Sequence, residues 1–233
     1  MSLPRAGRRC WRSIRTPAST RASTSSCVST SQSASWRSAT TELSGPDGRV
    51  SALLAGLASG QPVPAGGSAA AAVIALAAAL LEKASRLSTG QWASANAALD
   101  AAHALRLRAE ELVDADANAY MSFVEASRAA KGLRGAARER SVKPAREATV
   151  DVPLAIVRLG AETVELAGKV AAHGNPNLRA DATVAATIAA AGATAASRLI
   201  ASNLAGGRDP RLDEARRIAK TANDQADALG NQP

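Results

Sequence analysis

From residue 49 onward, apolar positions recur at spacings of three, four and seven. No stretch alternates apolar and polar residues long enough to make a strand. Residues 49–59 predict a short helix with Leu53, Leu54 and Leu57 on one side. It is ended by Gly60 and the Pro62-Val63-Pro64 turn, where continued helix would clash. Ser68 is placed to cap a second helix, with Val73, Leu76, Leu80 and Leu87 as its inner stripe. Eight of the fourteen residues in 68–81 are Ala, and small side chains let neighbouring helices approach closely, so this helix belongs near the centre of a bundle. Gly90 stops it. A long helical stretch follows over residues 91–130, with room for one break and with Leu99, Leu105, Leu112, Val113, Tyr120, Phe123 and Val124 as inner positions.

Residues 131–140, with Gly132 and Gly135, read as a loop, and helix resumes after it to include Glu147. Asp151 is suited to cap a new helix with Pro153 in its first turn, where a missing N–H costs least. Gly174 ends that helix. The Asn175-Pro176-Asn177 turn leads into a helix over 178–205, which Gly206-Gly207 stops before Asp209 and Pro210 open the last one. The expected fold is all-α, a bundle of about six or seven helices around a central Ala-rich helix.

Residues 1–48 follow no such pattern. They hold 18 Ser or Thr, seven Arg, no Lys and two acids, with no apolar periodicity, which predicts a disordered basic extension ahead of a helical domain at 49–233. The composition resembles an organellar transit peptide, and Arg8-Arg9 resembles a twin-Arg signal but lacks the apolar stretch that export needs. The reading favoured is a start placed upstream of the true one.

Charge then narrows the function. The net charge of +8 divides into +5 over 1–48 and +3 over the rest, where 21 basic and 18 acidic residues are interspersed. Such a body lacks the concentrated basic footprint of a nucleic-acid domain. Both cysteines, Cys10 and Cys27, precede the body, which therefore fits a reducing cytoplasm and can hold no thiolate metal site. The two histidines, His103 and His173, stand in unrelated settings, so no metal is expected. Residues 58–81 and 182–197 carry no charge. The first keeps only fourteen helical residues after its glycines and prolines, the second is also short, and neither is expected to span a membrane.

Three segments could carry chemistry. In Pro64-Ala65-Gly66-Gly67-Ser68 the backbone is open and a helix begins, so unpaired N–H groups could face an anion; a glycine hinge with an ordinary cap is the plainer alternative. In Asp114-Ala-Asp116-Ala-Asn118-Ala-Tyr120, Asp116 and Tyr120 share a helical face while Asp114 points about 200° away. A carboxylate buried there would be a general base or counter-charge, and one left in solvent would be neither. In His173-Gly-Asn175-Pro-Asn177-Leu-Arg-Ala-Asp181 a tight turn precedes an acid that suits a helix N-terminus, and capping alone explains it.

Taken in order, residues 58–71 (ASGQPVPAGGSAAA), 114–120 (DADANAY), 147–154 (EATVDVPL) and 174–181 (GNPNLRAD), with Asn203-Leu204, resemble the cyclodeaminase/cyclohydrolase family. That family includes the cyclodeaminase half of formiminotransferase-cyclodeaminase and bacterial methenyltetrahydrofolate cyclohydrolases. The resemblance covers about residues 49–205. It implies a helical bundle, a homodimer, and a tetrahydrofolate derivative bound as substrate with no metal or other cofactor. Ala65 stands where the family usually has Gly, and its methyl would strain a positive φ there. Ala180 stands where the family usually has Ser, which removes a hydroxyl beside Asp181.

The implied reaction is hydrolysis of 5,10-methenyltetrahydrofolate to 10-formyltetrahydrofolate. Asp116 is the expected base and charge partner, and Asp181 its orienting partner or the alternative base. Gly66, Gly67 and Ser68 would hold the folate through backbone N–H groups, beside Tyr120. Asn175, Asn177 and Asn203 would meet the pterin edge, and Lys143 and Arg146 the glutamate carboxylates. The alternatives are cyclodeamination of formiminotetrahydrofolate, which the same acid and base could serve, and a non-catalytic helical protein that binds folate or scaffolds.

Overall fold

The structure is a computed structural model that describes residues 49–204 and 207–231. The expectations for residues 1–48 lie outside the described residues. Among those described, six α-helices and no strand are found: α1 Arg49–Leu57, α2 Gly66–Arg86, α3 Ala95–Ala129, α4 Gly135–His173, α5 Arg179–Asn203 and α6 Pro210–Gly230. Short 3-10 turns, Ala130–Gly132 and Pro176–Leu178, join α3 to α4 and α4 to α5. The all-α expectation holds.

The Ala-rich α2 lies between α3 and α5 and also packs on α4; α4 runs against α3 and α5, and α6 closes over α4 and α5. Alanine is what permits this. The buried face of α2 is Ala70, Ala71, Ala77, Ala78 and Ala84 with Ile74 and Leu81, all at 3% exposure or less. Ile74, Leu81, Ile156, Leu159 and Ile200 are the large fully buried side chains, each contributing about 1.5–3 kcal/mol by leaving water. Where α5 crosses α2, a Cβ on Gly192 would stand 2.8 Å from Ile74 Cγ1 and 3.0 Å from the Ala70 carbonyl oxygen. Gly192→Ala is therefore expected to push the two helices apart and cost about 1–3 kcal/mol, read as a lowered melting temperature.

The structure corrects several expected details. The inner stripe of α2 is the alanine face; Leu76 and Leu87 are 55% and 53% exposed, and Val73 and Leu80 are only partly buried. Spacing cannot pick a face on a helix apolar all round. The helix ends at Arg86 rather than Gly90, and α3 runs unbroken from Ala95, burying Ala98, Ala102, Leu105, Ala109 and Ala119. Most of the expected α3 positions are half-buried, and Tyr120 is exposed. The expected 131–140 loop shrinks to a short turn, since α4 already begins at Gly135, whose φ of 53° is the left-handed value that glycine tolerates.

Asp151 caps nothing. Helix α4 passes through Pro144 and Pro153 without ending, and exposed Asp151 instead accepts from Arg211 at 2.8 Å. Asp209 caps α6 as expected, its Oδ1 accepting from the Arg211 N–H at 2.9 Å with Pro210 next in line. The same Arg211 pairs with Glu147 at 2.6 Å, tying the start of α6 to α4; its three carboxylate partners raise its pKa, the Asp209 hydrogen bond most.

Both segments expected to be too short for a membrane belong to longer helices than read. Gly66–Arg86 and Pro176–Asn203 are both long and apolar enough to cross one by length and composition alone, though each is half buried in the bundle.

Candidate active site

The first turn of α2 presents N–H groups with no helical acceptor. The N-cap is Ala65, at φ −135° and ψ −155°, and no side chain caps from that position. Ser68, expected as the cap, lies inside the helix instead. Its N–H donates to Asp116 Oδ2 on α3 at 2.9 Å, and its hydroxyl donates to the Val113 carbonyl at 2.9 Å and stands 3.3 Å from the same Oδ2. A carboxylate from the neighbouring helix thus does the capping. The extended φ of Ala65 also answers the expected strain: its methyl sits in ordinary backbone geometry.

Asp116 reaches Ser68 because Gly67 lacks a side chain. A Cβ on Gly67 would fall 2.0 Å from Asp116 Oδ1 and 2.3 Å from Cγ, so the carboxylate occupies the space that any other residue would fill. Asp116 is half-buried while Asp114 is exposed, the opposition that their helical spacing requires. Burial pushes the Asp116 pKa above the usual carboxylate range, opposed by the Ser68 N–H and then the Ser68 hydroxyl. Both bonds are on Oδ2. Among the described residues Oδ1 accepts none, nor do the N–H groups of Gly66 and Gly67 find an acceptor.

The other expected residues divide into two groups. Gly66 lies by Leu199, which brings the end of α5, and with it Asn203, to this same end of the bundle. Asn203 does not face outward as a free ligand. Its Nδ2 donates to the Thr149 carbonyl at 2.7 Å. Thr149 is four residues before Pro153, so its carbonyl has lost the helical N–H it would otherwise receive. The Asn203 side chain replaces that bond. Asn203→Ala is expected to cost about 1–3 kcal/mol by leaving a buried carbonyl unpaired, and adding Pro153→Ala, which restores the N–H, is expected to recover part of it in a denaturation series. Equal losses with and without Pro153 would contradict this account. Tyr120 is 43% exposed, one turn beyond Asp116. Arg146 is ion-paired with Glu139, whose pKa it lowers, and Lys143 is exposed.

Asp181 belongs to the opposite end. It meets Lys83 Nζ at 3.2 Å, fifteen residues along α2 from Ser68 and so about 22 Å away at 1.5 Å per residue. Within one chain it cannot orient Asp116. Asn175 is there too, and its contacts are structural. Its N–H donates to Ser88 Oγ at 2.8 Å, its Nδ2 to the Leu87 carbonyl at 3.3 Å, and its Oδ1 accepts from the Asn177 N–H at 3.0 Å. Trp92 and His173 stack nearby, ring centroids 5.9 Å apart. No group of three or more His, Cys, Asp or Glu able to hold a metal occurs among the described residues. The grooves beside α6, lined by residues such as Arg198, Arg216 and Lys220, or Asp209 and Leu212, do not include Asp116.

A glycine pair opening an Ala-rich helix, with an aspartate of the next helix seated in the space of its second glycine, is built from the motifs that first suggested a family. Over residues 49–223 the sequence matches the family described as Formiminotransferase-cyclodeaminase. The chain belongs to that family. The methenyltetrahydrofolate cyclohydrolase of Methylorubrum extorquens is 33% identical over 175 residues, 72% of this chain and 84% of that protein. The crystal structure of formiminotetrahydrofolate cyclodeaminase from Thermotoga maritima has a similar fold, with a TM-score of 0.64 and 21% identity over 74% of this chain and 90% of that one. The family match reaches residue 223, past the expected limit of 205 and well into α6. Sequence reasoning missed the coupling of Pro153 to Asn203, although a proline inside a helix signals an orphaned carbonyl four residues back.

Proposed function

We propose that this chain hydrolyses 5,10-methenyltetrahydrofolate to 10-formyltetrahydrofolate, with Asp116 as the group that handles the proton. The single observation that carries the reading is the Asp116 carboxylate, half-buried and fixed through Oδ2 to Ser68, with Oδ1 left to act. The relative from Methylorubrum extorquens supports the reaction class.

The substrate's one-carbon unit is a cationic amidinium carbon between N5 and N10. A carboxylate held near it offsets the positive charge, and offsets it more strongly where water is partly excluded. Water adds to the carbon and gives one proton to Asp116 Oδ1. The bond from carbon to N5 then breaks, N5 takes up a proton from the protonated Asp116, and the new hydroxyl loses its own proton as the formyl C=O forms on N10. One water is consumed and one proton released. Gly66 and Gly67 supply N–H donors to acceptor atoms of the folate, and exposed Tyr120 offers an aromatic edge beside them. We assign the enzyme to the cytoplasm as a homodimer, with no nucleic acid or membrane as partner.

The decisive experiment follows the loss of methenyltetrahydrofolate absorbance with the purified full chain against an enzyme-free control, since the compound hydrolyses unaided. Acceleration is expected. No acceleration, together with ammonia release from formiminotetrahydrofolate, would replace hydrolysis by cyclodeamination.

A further inference from the structure

We infer that the groove between α5 and α6 is a second binding site, for a small phosphate monoester whose phosphate sits among Arg198, Arg216 and Lys220. The groove does not include Asp116, and binding there needs neither folate nor turnover.

Two helical stripes form the walls. On α5, Thr194, Ser197 and Arg198 are spaced by three and four and share one face; on α6, Arg216, Lys220 and Asn223 do the same. Ala201 and Ala219 keep the space between them open, because their side chains end at Cβ. Asn223 fixes the crossing, its Nδ2 donating to Thr194 Oγ1 and to the Ala219 carbonyl, each at 2.7 Å. The cavity is about 310 Å³, at the small end of ligand sites. Through Ala201 and Arg216 it continues into a second groove of about 660 Å³ at the start of α6, where Pro210, Leu212 and Asp213 are among the lining residues.

The charge in the smaller groove is uncompensated. Three cations and no acid line it. Arg198 makes no ion pair among the described residues. Arg216 reaches Asp213 only at 3.9 Å, and Lys220 pairs with Asp224 across an exposed turn, where such pairs hold little. Ser197 adds an independent sign of a ligand. It is 5% exposed and lines the groove, yet its hydroxyl has no partner among the described residues. Other buried hydroxyls turn back onto their own helix, Thr163 to the Leu159 carbonyl at 2.8 Å and Ser88 to the Ala84 carbonyl at 2.7 Å. Thr194 accepts from Asn223, which leaves its own O–H to donate. Two guanidinium forks, an ammonium and two hydroxyls thus offer donors from both walls, more than the two oxygens of a carboxylate can use and well suited to a dianionic phosphate. The second groove suits the organic part of an ester: Pro210 and Leu212 give apolar contact, and Asp213 accepts from a hydroxyl.

The test uses the full chain without folate and at constant ionic strength, because exposed cations attract any anion weakly at low salt. Isothermal titration and the melting temperature follow inorganic phosphate, glycerol 3-phosphate and, as a polycarboxylate, triglutamate. Saturable binding of phosphate is expected, tighter for glycerol 3-phosphate and much weaker for triglutamate. Arg198→Gln and Arg216→Gln should each weaken glycerol 3-phosphate binding by about tenfold or more, the worth of a hydrogen bond to a charged group. Ser197→Ala should weaken it less, and should melt no lower than wild type without ligand, since its hydroxyl has no partner in the chain to lose. Lys169→Gln, which removes the same charge from an exposed position on α4, is expected to leave the affinity unchanged. An absence of saturable binding, an equal loss in Lys169→Gln, phosphate bound as tightly as its ester, or triglutamate bound more tightly than either would overturn the proposal.

Discussion

Asp116→Asn is expected to lower turnover by about 10²–10⁴-fold, the usual worth of a positioned general base, without unfolding the chain. Asparagine keeps an oxygen to accept the Ser68 N–H that Asp116 now accepts at 2.9 Å, so the α2 to α3 contact survives. The stability sign follows from the direction of the pKa. Asp116 is raised in the fold, chiefly by desolvation. Its charged form is therefore disfavoured by folding, and the penalty is present above the folded pKa and vanishes below the ordinary unfolded value. At neutral pH the amide removes that penalty, so the melting temperature should stay level or rise. Activity has the opposite dependence. The base works only when ionised, so kcat/KM should fall as pH drops through the raised pKa, at a higher pH than an ordinary carboxylate would give. That acid limb should disappear in the residual activity of Asp116→Asn. A variant that keeps wild-type turnover, or a wild-type profile flat on its acid side, would remove Asp116 from the mechanism.

The helical class, the central Ala-rich helix and several turns were legible because each rests on local chemistry: the Gly60 and Pro62-Val63-Pro64 break, the stop at Gly174, Asp209 as a cap, and spacings of three and four. The choice of buried face on α2 was not, because alanine and leucine both satisfy an apolar pattern and only the neighbours decide which side is covered. The continuity of α4 was hidden for a related reason. Pro153 reads as a helix start, and only the side chain of Asn203, fifty residues on, supplies the bond that lets the helix continue. Near the opening of α2, helical spacing made legible that Asp116 and Asp114 point opposite ways, and the structure half-buries Asp116 while exposing Asp114. The expected pairing with Asp181 fails within one chain because position along α2, which no motif encodes, sets them at opposite ends.

Gly67→Ala is expected to lower turnover nearly as far as Asp116→Asn, by geometry rather than charge. The added methyl would fall within 2.0 to 2.6 Å of all three carboxyl atoms, too close for any rotamer adjustment that keeps the bond to Ser68. Asp116 must swing away, and a displacement of about 1 Å at a reacting group costs about 10²-fold. Stability gives a separate readout. Alanine favours helix over glycine by about 1 kcal/mol, whereas evicting the carboxylate leaves the Ser68 N–H unpaired at a cost of about 1–3 kcal/mol, so a net loss in melting temperature is expected. Gly66→Ala is the control, since its nearest neighbour in the chain would be a Leu199 methyl at 3.5 Å. That variant should melt no lower than wild type. If Gly67→Ala melted like Gly66→Ala and turned over like wild type, the glycine pair would be only a hinge, and the seat of Asp116 in the Gly67 gap would not be what fixes the base.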